Sequence, residues 1–402
     1  MDNIRKDFPA YPTQGIYLDS ATINLQPQSV IDAQTWYNAN LGSTLRKSLY
    51  KRSRKSTEIY LDTKERLALQ YGGLAESYVF FPNLDYTWNV VIMSIIQYHK
   101  RLKLEPPTFL TSIFEEHSLL APLIQFAKSE LISLRFIEKE DSKNFYENLE
   151  EIAQNGEYIA ISHLSPLNGT YRKLDEISKL AKEYECKLFV DLSRSAGQNP
   201  IRIPQCDIDV AIIDPSLDLL GPQGICVAYL SDYFFNIESP LSGTNSVKEV
   251  KVDDVMQLSS YERFEIGNLN LPALNGLKVT FDYYKQLTSN WVAAQRESLQ
   301  NHLRELLADI ETITPIAPNS DFELPGSVIS VRMKGVSSHD IILLLEEAFS
   351  IELRSGTLCS HPGLKYLLLD DVLTISTHVY NSIDEIDTLF ESLEQARIML
   401  KQ

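Results

Sequence analysis

Short apolar runs alternate with amphipathic stretches along the chain from about residue 76. Apolar runs of about four to eight residues between helical patterns are typical of buried strands that are joined by crossover helices. The pattern therefore predicts seven strands of a mostly parallel sheet, at residues 78–81, 109–112, 134–137, 158–163, 187–191, 210–213 and 225–230.

One crossover between two of these strands shows a clear helical spacing of its apolar residues, which are Leu174, Ile177, Leu180, Ala181 and Tyr184. A helix with one apolar face packs that face on the sheet. We therefore predict an α/β fold whose large domain has three layers, with helices on both faces of the sheet.

The pattern of apolar and polar residues changes after about residue 260. Long helical patterns cover residues 272–285, 291–310 and 383–399, and short apolar runs at 328–333 and 372–377 predict strands. We predict three parts: a segment at 1–25 that packs near the domain junction and has an extended piece at 16–19, a large domain at 26–260, and a smaller C-terminal α+β domain at 261–402.

Composition and net charge exclude some classes of protein. The 402 residues are 44% hydrophobic and 23% charged, which suits a large buried core. The net charge of −17 would repel a phosphate backbone, so we expect no nucleic-acid partner. No stretch reaches the roughly 20 apolar residues that span a bilayer. We therefore expect no membrane partner and a cytoplasmic location.

The four cysteines, Cys186, Cys206, Cys226 and Cys359, are scattered along the chain without CxxC spacing. This pattern favours neither a disulfide framework nor a zinc site. We expect reduced thiols and no metal.

Eight segments, taken in order, carry a family resemblance. They are IYLDSAT at 16–22, EEHS at 115–118, HLS at 163–165 with GT at 169–170, VD at 190–191, GPQG at 221–224, RFEIG at 263–267, RSG at 354–356 and YN at 380–381. Together they resemble class V aminotransferases, and most closely the cysteine desulfurase and selenocysteine lyase branch. The resemblance implies the fold type I of pyridoxal-phosphate (PLP) transferases, a PLP site at the carboxyl ends of the strands, and a homodimer.

This chain differs from the family pattern first at the lysine that holds PLP. In the family this lysine ends a Ser-Gly-His-Lys motif, two residues before a Gly-Pro turn. Here residues 215–222 read PSLDLLGP, which puts Asp218 at the lysine position. A carboxylate cannot form the Schiff base. A local shift of the alignment does not help, because no lysine stands between Lys187 and Lys248.

The loop that binds the phosphate of PLP also differs from the family pattern. The family has Gly-Thr-Thr at the start of a helix, whose positive end favours an anion. This chain has Asn83-Leu84-Asp85, and a carboxylate beside a phosphate is unfavourable. Asn83 is a candidate cofactor-binding residue, but Asn83 or Asp85 could equally cap the helix.

The residue that stacks on the pyridine ring is a histidine in the family and corresponds here to Glu116. A shift of one residue would place His117 there instead. Both are candidate cofactor-binding residues, and the alternative is that they form a solvated turn before a helix.

Other contacts to the cofactor differ too. The asparagine and glutamine that contact the ring hydroxyl correspond to Pro166 and Arg194, and the arginine that binds the substrate carboxylate corresponds to Thr374. Asp191 matches the aspartate that pairs with the pyridine nitrogen, although Asp191 and Arg194 could simply form an ion pair. We hypothesise that Asp191, Arg194 and Asp218 form an ionic cluster in the cofactor space.

Cys359 lies where desulfurases carry their sulfur-accepting thiolate. It is a candidate catalytic residue together with Asp218. The alternative is a small buried hydrophobic residue, which is the usual environment of a free cysteine.

These observations predict a pseudoenzyme: a partner subunit, or a protein that binds a small molecule in the former PLP cleft. We expect no covalently bound cofactor and regard PLP as a doubtful ligand. We expect a homodimer, or a heterodimer with a paralogue. The alternative is an active enzyme of this family on an amino-acid-like substrate, with non-covalent PLP or with acid–base groups such as Asp218, Glu116 and His117. A third hypothesis is a persulfide carrier that uses Cys359.

Overall fold

The computed structural model describes residues 2–45, 48–139, 142–197, 201–316 and 327–401. Its helices are α1 Asp2–Arg5, α2 Gln28–Asn40, α3 Lys51–Tyr71, α4 Leu84–Leu102, α5 His117–Lys128, α6 Ser142–Ala153, α7 Leu174–Glu183, α8 Pro215–Asp218, α9 Leu271–Leu287, α10 Ser289–Asp309, α11 Ser338–Phe349, α12 His361–Tyr366 and α13 Ile383–Met399. Its strands are β1 Ile16–Tyr17, β2 Tyr78–Phe81, β3 Thr108–Ser112, β4 Ser133–Ile137, β5 Tyr158–Ser162, β6 Lys187–Asp191, β7 Val210–Ile213, β8 Cys226–Leu230, β9 Val247–Val250, β10 Val255–Gln257, β11 Ile313–Pro315, β12 Val328–Met333, β13 Ile351–Glu352, β14 Arg354–Gly356 and β15 Val372–Ser376.

Seven strands form the central sheet in the order β2-β8-β7-β6-β5-β3-β4. The neighbours from β7 to β4 are parallel, whereas β8 runs antiparallel to both β7 and β2. All seven predicted strands are present, and each observed bound lies within one residue of the predicted one. The predicted mostly parallel sheet is confirmed.

Two apolar clusters cover the two faces of this sheet. One contains buried side chains of α2, α3, α6, α7 and α9, and the other contains those of α4 and α5. Strands that are buried on both faces read as continuous apolar runs, which is why periodicity located them so closely. The arrangement is the predicted three-layer α/β unit.

The smaller unit has a four-stranded antiparallel sheet in the order β11-β12-β15-β14. Apolar residues of α10, α11 and α13 pack on it. The N-terminal segment joins this unit, since β1 pairs in parallel with β13 and Asp19 bridges to Ser376. Helix α9, by contrast, packs against α2 and α3 of the large unit. The limits of the three parts at residues 25 and 260 stay a prediction.

A single residue links α9 to α10. Thr288 has φ 61° and ψ 135°, and its hydroxyl accepts a hydrogen bond from the backbone N–H of Trp291. A positive φ is unusual for a β-branched residue, so this junction is a constrained turn. No helix within the described residues has the length and apolar character needed to cross a membrane.

Candidate cofactor cleft

The candidate residues gather at one edge of the central sheet. Asp191 is the last residue of β6 and lies opposite Ser162 of β5 and Ile212 of β7. Asp214 and α8 follow β7 directly. Because these three strands are parallel, their carboxyl ends meet at the same edge, where ligands bind in open α/β sheets.

Asp191 is buried, with 4% of its surface exposed. One of its carboxylate oxygens accepts the backbone N–H of Ser193 at 2.8 Å, and the indole Nε1 of Trp88 lies 3.4 Å from the other. Burial, and then the charge of Glu116, raise the pKa of Asp191 to about 7. A carboxyl group in this state can share a proton with a ring nitrogen near neutral pH.

Glu116, and not His117, faces the cleft. It precedes α5, is 8% exposed, and one of its oxygens lies 2.8 Å from Nη2 of Arg194. Burial alone would raise the pKa of Glu116, but the Arg194 guanidinium outweighs it and holds that pKa below its usual value. The family resemblance aligned these two residues with a stacking histidine and a ring-hydroxyl contact, and the structure joins them in an ion pair.

Asp218 pairs with a residue that the sequence did not single out. Its Oδ1 lies 2.7 Å from Nη2 of Arg296 on α10, and its Oδ2 accepts the backbone N–H of Gly197 at 2.9 Å. Arg194 pairs with Glu116 and interacts electrostatically with Asp191, as the hypothesis of a cluster expected for Asp191. The ion pair of Asp218 is with Arg296, which the hypothesis did not include. Arg296 comes from α10, whose apolar face packs on the sheet of the smaller unit, and it lies 78 residues from Asp218.

Asn83 caps α4, as one of the two interpretations expected. Its side chain accepts the backbone N–H of Tyr86 at 2.8 Å, and Asp85 lies in the first turn of the helix. The positive end of this 19-residue helix points to the strand edge that it follows, and the cap satisfies one of its free N–H groups.

His117 lies at the rim of the cleft and pairs with His361 of α12. The two rings are within 20° of parallel, with centroids 4.7 Å apart and with 2.7 Å between Nε2 of His117 and Nδ1 of His361. This geometry is a hydrogen bond between the edges of two nearly coplanar rings, so one nitrogen donates and the other accepts. Burial and His361 lower the pKa of His117.

Cys359 is exposed, which contradicts the interpretation as a buried hydrophobic residue. Its thiol lies 3.7 Å from Nη2 of Arg354, the first residue of the RSG motif. Leu358 and Cys359 both have a positive φ, of 49° and 57°. Non-glycine residues in this region cost free energy and are concentrated at ligand sites.

Two other family positions hold buried residues without charge. Thr374 lies on β15, and its Oγ1 is 3.1 Å from Oγ of Ser330. Pro166 is also buried. On the same loop, the buried hydroxyls of Ser165 and Thr170 have no hydrogen-bond partner within the described residues.

The cleft residues fit PLP in part. Asp191 suits a pyridine nitrogen, the N-terminus of α4 suits a phosphate, and Arg194 and Arg354 supply positive charge at the same edge. Asp218 and Glu116, which the family resemblance aligned with the lysine and the stacking histidine, are carboxylates.

Comparison with known proteins assigns the chain to a protein family. The family model for aminotransferase class-V matches residues 16–389. A probable cysteine desulfurase of Pyrococcus abyssi is 26% identical over 98% of this chain and 97% of its own. The apo structure of a cysteine desulfurase from Thermococcus onnurineus NA1 superposes with a TM-score of 0.91 at 26% identity, and covers 98% of this chain and 97% of its own. The cysteine desulfurase CsdA from Escherichia coli, at 23% identity and a TM-score of 0.87, shares the fold over 99% of this chain and 98% of its own.

These relatives correct the cofactor prediction. Cysteine desulfurases are PLP-dependent enzymes, and similarity to them extends over nearly the whole chain. PLP is therefore the cofactor to expect here, and the view of it as a doubtful ligand was wrong. The prediction gave too much weight to single substitutions and too little to the retained strand edge, Asp191 and the N-terminus of α4. On the family model and the shared fold, this chain belongs to the aminotransferase class-V family.

Proposed function

We propose that this chain is a cysteine desulfurase-like protein that holds PLP in its cleft but does not release sulfur from cysteine, and that it works as a pseudoenzyme. The ion pair between Asp218 and Arg296 is the observation that carries the proposal. PLP, when bound, supplies an electron sink for charge at a substrate carbon, and an amine must move the proton there. A carboxylate held by a guanidinium cannot replace that amine.

Two described lysines, Lys187 and Lys64, each face another carboxylate, that of Asp209 and that of Glu265. Lys187 starts β6, four residues before Asp191, and is therefore about 13 Å from the cleft edge along the strand. Lys64 is the lysine found buried among the described residues, and its Nζ lies 3.6 Å from Glu265. These positions support the view that neither lysine supplies the amine that is missing at residue 218.

The alternative of an active enzyme with acid–base carboxylates gains less support. A general base needs a pKa near the working pH. The Arg194 ion pair holds the pKa of Glu116 below its usual value. Asp218 is in an ion pair with Arg296 and is 2% exposed. Both carboxylates are thus held in ion pairs with guanidinium groups.

A test needs cofactor binding and turnover as separate readouts. PLP is titrated while the tryptophan fluorescence is followed, since Trp88 lies beside Asp191, and sulfide release from cysteine is then measured at saturating PLP. We expect quenching that saturates, with sulfide release at the level of a protein-free control. A PLP-loaded sample that releases sulfide in catalytic amounts, and loses this activity in Cys359→Ser, would refute the proposal.

Cys359 favours a second candidate function, that of a persulfide carrier. Its exposure and the guanidinium of Arg354 suit a sulfur that carries negative charge. Iodoacetamide labelling of the folded protein, followed by peptide mass spectrometry, should modify Cys359 well before the buried Cys186 and Cys226. Equal labelling of all three thiols, or an unlabelled Cys359, would remove this candidate.

The partners named from the sequence stay proposals. A dimer of two copies, or of this chain with a paralogue, would give the pseudoenzyme a role as a partner subunit.

A further inference from the structure

Asp218 is in contact with both sides of the link between the two units. The hydroxyl of Tyr284, in the last turn of α9, donates to the backbone carbonyl of Asp218 at 3.0 Å. Arg296, two turns into α10, holds the carboxylate of the same residue at 2.7 Å. Thr288 lies between these two contacts. One residue thus binds the helix before the turn and the helix after it.

The large unit holds Asp218 firmly from its own side. The backbone N–H of Gly197 donates to Oδ2 at 2.9 Å. A methyl group at Gly197 would lie 2.2 Å from the carbonyl oxygen of Asp218 and 2.4 Å from the hydroxyl of Tyr284. Only glycine leaves room for this close approach, so the position of Asp218 is well defined.

The small unit adds a second contact through the turn after β15. Nε2 of His378 lies 3.1 Å from the carbonyl oxygen of Asp218 and 2.8 Å from Nη2 of Arg296. Nε2 of His378 thus contacts both the backbone carbonyl of Asp218 and the guanidinium that holds its carboxylate. Burial and the nearby guanidinium keep the pKa of His378 well below its usual value, so the ring is neutral.

The buried charges of Asp218 and Arg296 keep these two residues together. Asp218, Arg296 and His378 are 2%, 5% and 1% exposed, and the one negative charge of Asp218 balances the one positive charge of Arg296. A buried guanidinium without its carboxylate is strongly unfavourable. Arg296 therefore stays with Asp218, and α10 stays where the pair puts it.

We propose that Asp218 fixes the angle between α9 and α10 and thereby sets the position of β14 and β15, with Arg354 and Cys359, over the cleft. Asp218 is a positioning residue in this role. The inference goes beyond the proposed function and rests on the contacts alone, so it does not depend on whether residue 218 matches the family lysine.

The first experiment compares two variants that each leave a buried arginine without its carboxylate. Asp218→Asn affects the link between the units, whereas Glu115→Gln affects the ion pair with Arg172, which lies inside the large unit. Amide hydrogen exchange is measured in α10 and in α7, together with the alkylation rate of Cys359. We expect Asp218→Asn to speed exchange in the first half of α10 roughly tenfold or more, with α7 unchanged. The alkylation rate of Cys359 should change several-fold in the same variant.

Glu115→Gln serves as the control for a general loss of stability. It should leave the exchange of α10 and the alkylation rate of Cys359 as in the parent protein. Equal effects of the two variants would overturn the proposal, as would a normal α10 and a normal Cys359 in Asp218→Asn.

A milder pair of variants covers the case in which Asp218→Asn does not fold. Tyr284→Phe removes only the hydrogen bond to the carbonyl of Asp218. Tyr283→Phe removes the hydrogen bond of the neighbouring tyrosine to Asp7. The proposal requires faster exchange in α10 for Tyr284→Phe than for Tyr283→Phe, and the reverse order contradicts it. This test uses no PLP and no cysteine, so its outcome is separate from that of the turnover assay.

Discussion

At the scale of single residues, three buried carboxylates near one strand edge are in different states. Asp191 accepts hydrogen bonds from a backbone amide and an indole, and its pKa is raised to about 7. Glu116 faces Arg194, and its pKa is lowered. Asp218 faces Arg296. The neighbouring guanidinium decides whether a buried carboxylate stays ionised.

The raised pKa of Asp191 predicts a specific pH dependence of stability in the cofactor-free protein. The unfolded chain releases this proton around its ordinary pKa of 3.8, whereas the folded chain keeps it up to about 7. The folded state therefore binds more protons in this window, and its stability falls as the pH rises through it. The contribution is about 1.4 kcal/mol per pH unit, or about 4 kcal/mol in all.

Asp191→Asn removes this ionisation but keeps an acceptor for Ser193. Urea unfolding at pH 5 and pH 7 should show a smaller loss of stability with pH in Asp191→Asn than in the parent protein. The exposed Asp253→Asn is the control and should follow the parent. An Asp191→Asn variant whose pH dependence equals that of the parent would mean that Asp191 is ionised in the fold.

At the scale of elements, α4 combines a structural cap with a candidate anion site. Asn83 has an extended backbone, and its side chain accepts from Tyr86, while Asp85 stands in the first turn. A carboxylate in the first turn stabilises the helix through its dipole but competes with a bound anion. Both roles converge on the first turn of one helix.

We predict that Asn83→Ala lowers the free energy of unfolding by about 1 kcal/mol, because the helix loses its cap, whereas Asn83→Ser keeps most of the stability. The control is Asn89→Ala in the middle of the same helix, where the side chain donates to the carbonyl of Asp85. Chemical unfolding measures all three variants. A larger loss in Asn89→Ala than in Asn83→Ala would contradict the assigned cap.

At the scale of the whole molecule, one surface hairpin exposes several apolar side chains among charged ones. Strands β9 and β10 and the turn between them expose Val250, Val252, Val255 and Met256. An exposed apolar patch of this kind is typical of an interface. We expect a second copy of the chain to cover it, in line with the dimer that the family resemblance implies.

Light scattering of the purified protein tests this expectation. The parent should have twice the mass of one chain, and Val252→Asp should shift it toward the monomer. Leu343→Asp, on the exposed face of α11, is the control and should remain dimeric. A parent protein that elutes as a monomer at micromolar concentration would rule out the homodimer.

The sequence located the central sheet closely, because strands buried on both faces need continuous apolar residues and their limits are marked by polar turns. It also placed Asp191 and Asp218 at the same edge, since the carboxyl ends of parallel strands coincide. The cap at Asn83 followed from the same local chemistry. These features depend on neighbours in the chain or in the sheet, so the sequence by itself determined them.

Only the tertiary structure decided which charges meet. The partner of Asp218 is 78 residues away, and that of His117 is 244 residues away. Arg194 interacts with Asp191, as spacing along the chain had suggested, but its ion pair is with Glu116, which spacing had not suggested. Such pairs depend on how α5, α10 and α12 pack within their units, because the packing of the apolar faces fixes the positions of the polar side chains. The sequence by itself determined the layers and the strand edge, and the tertiary packing decided the ion pairs that hold Asp218 and Glu116 in place.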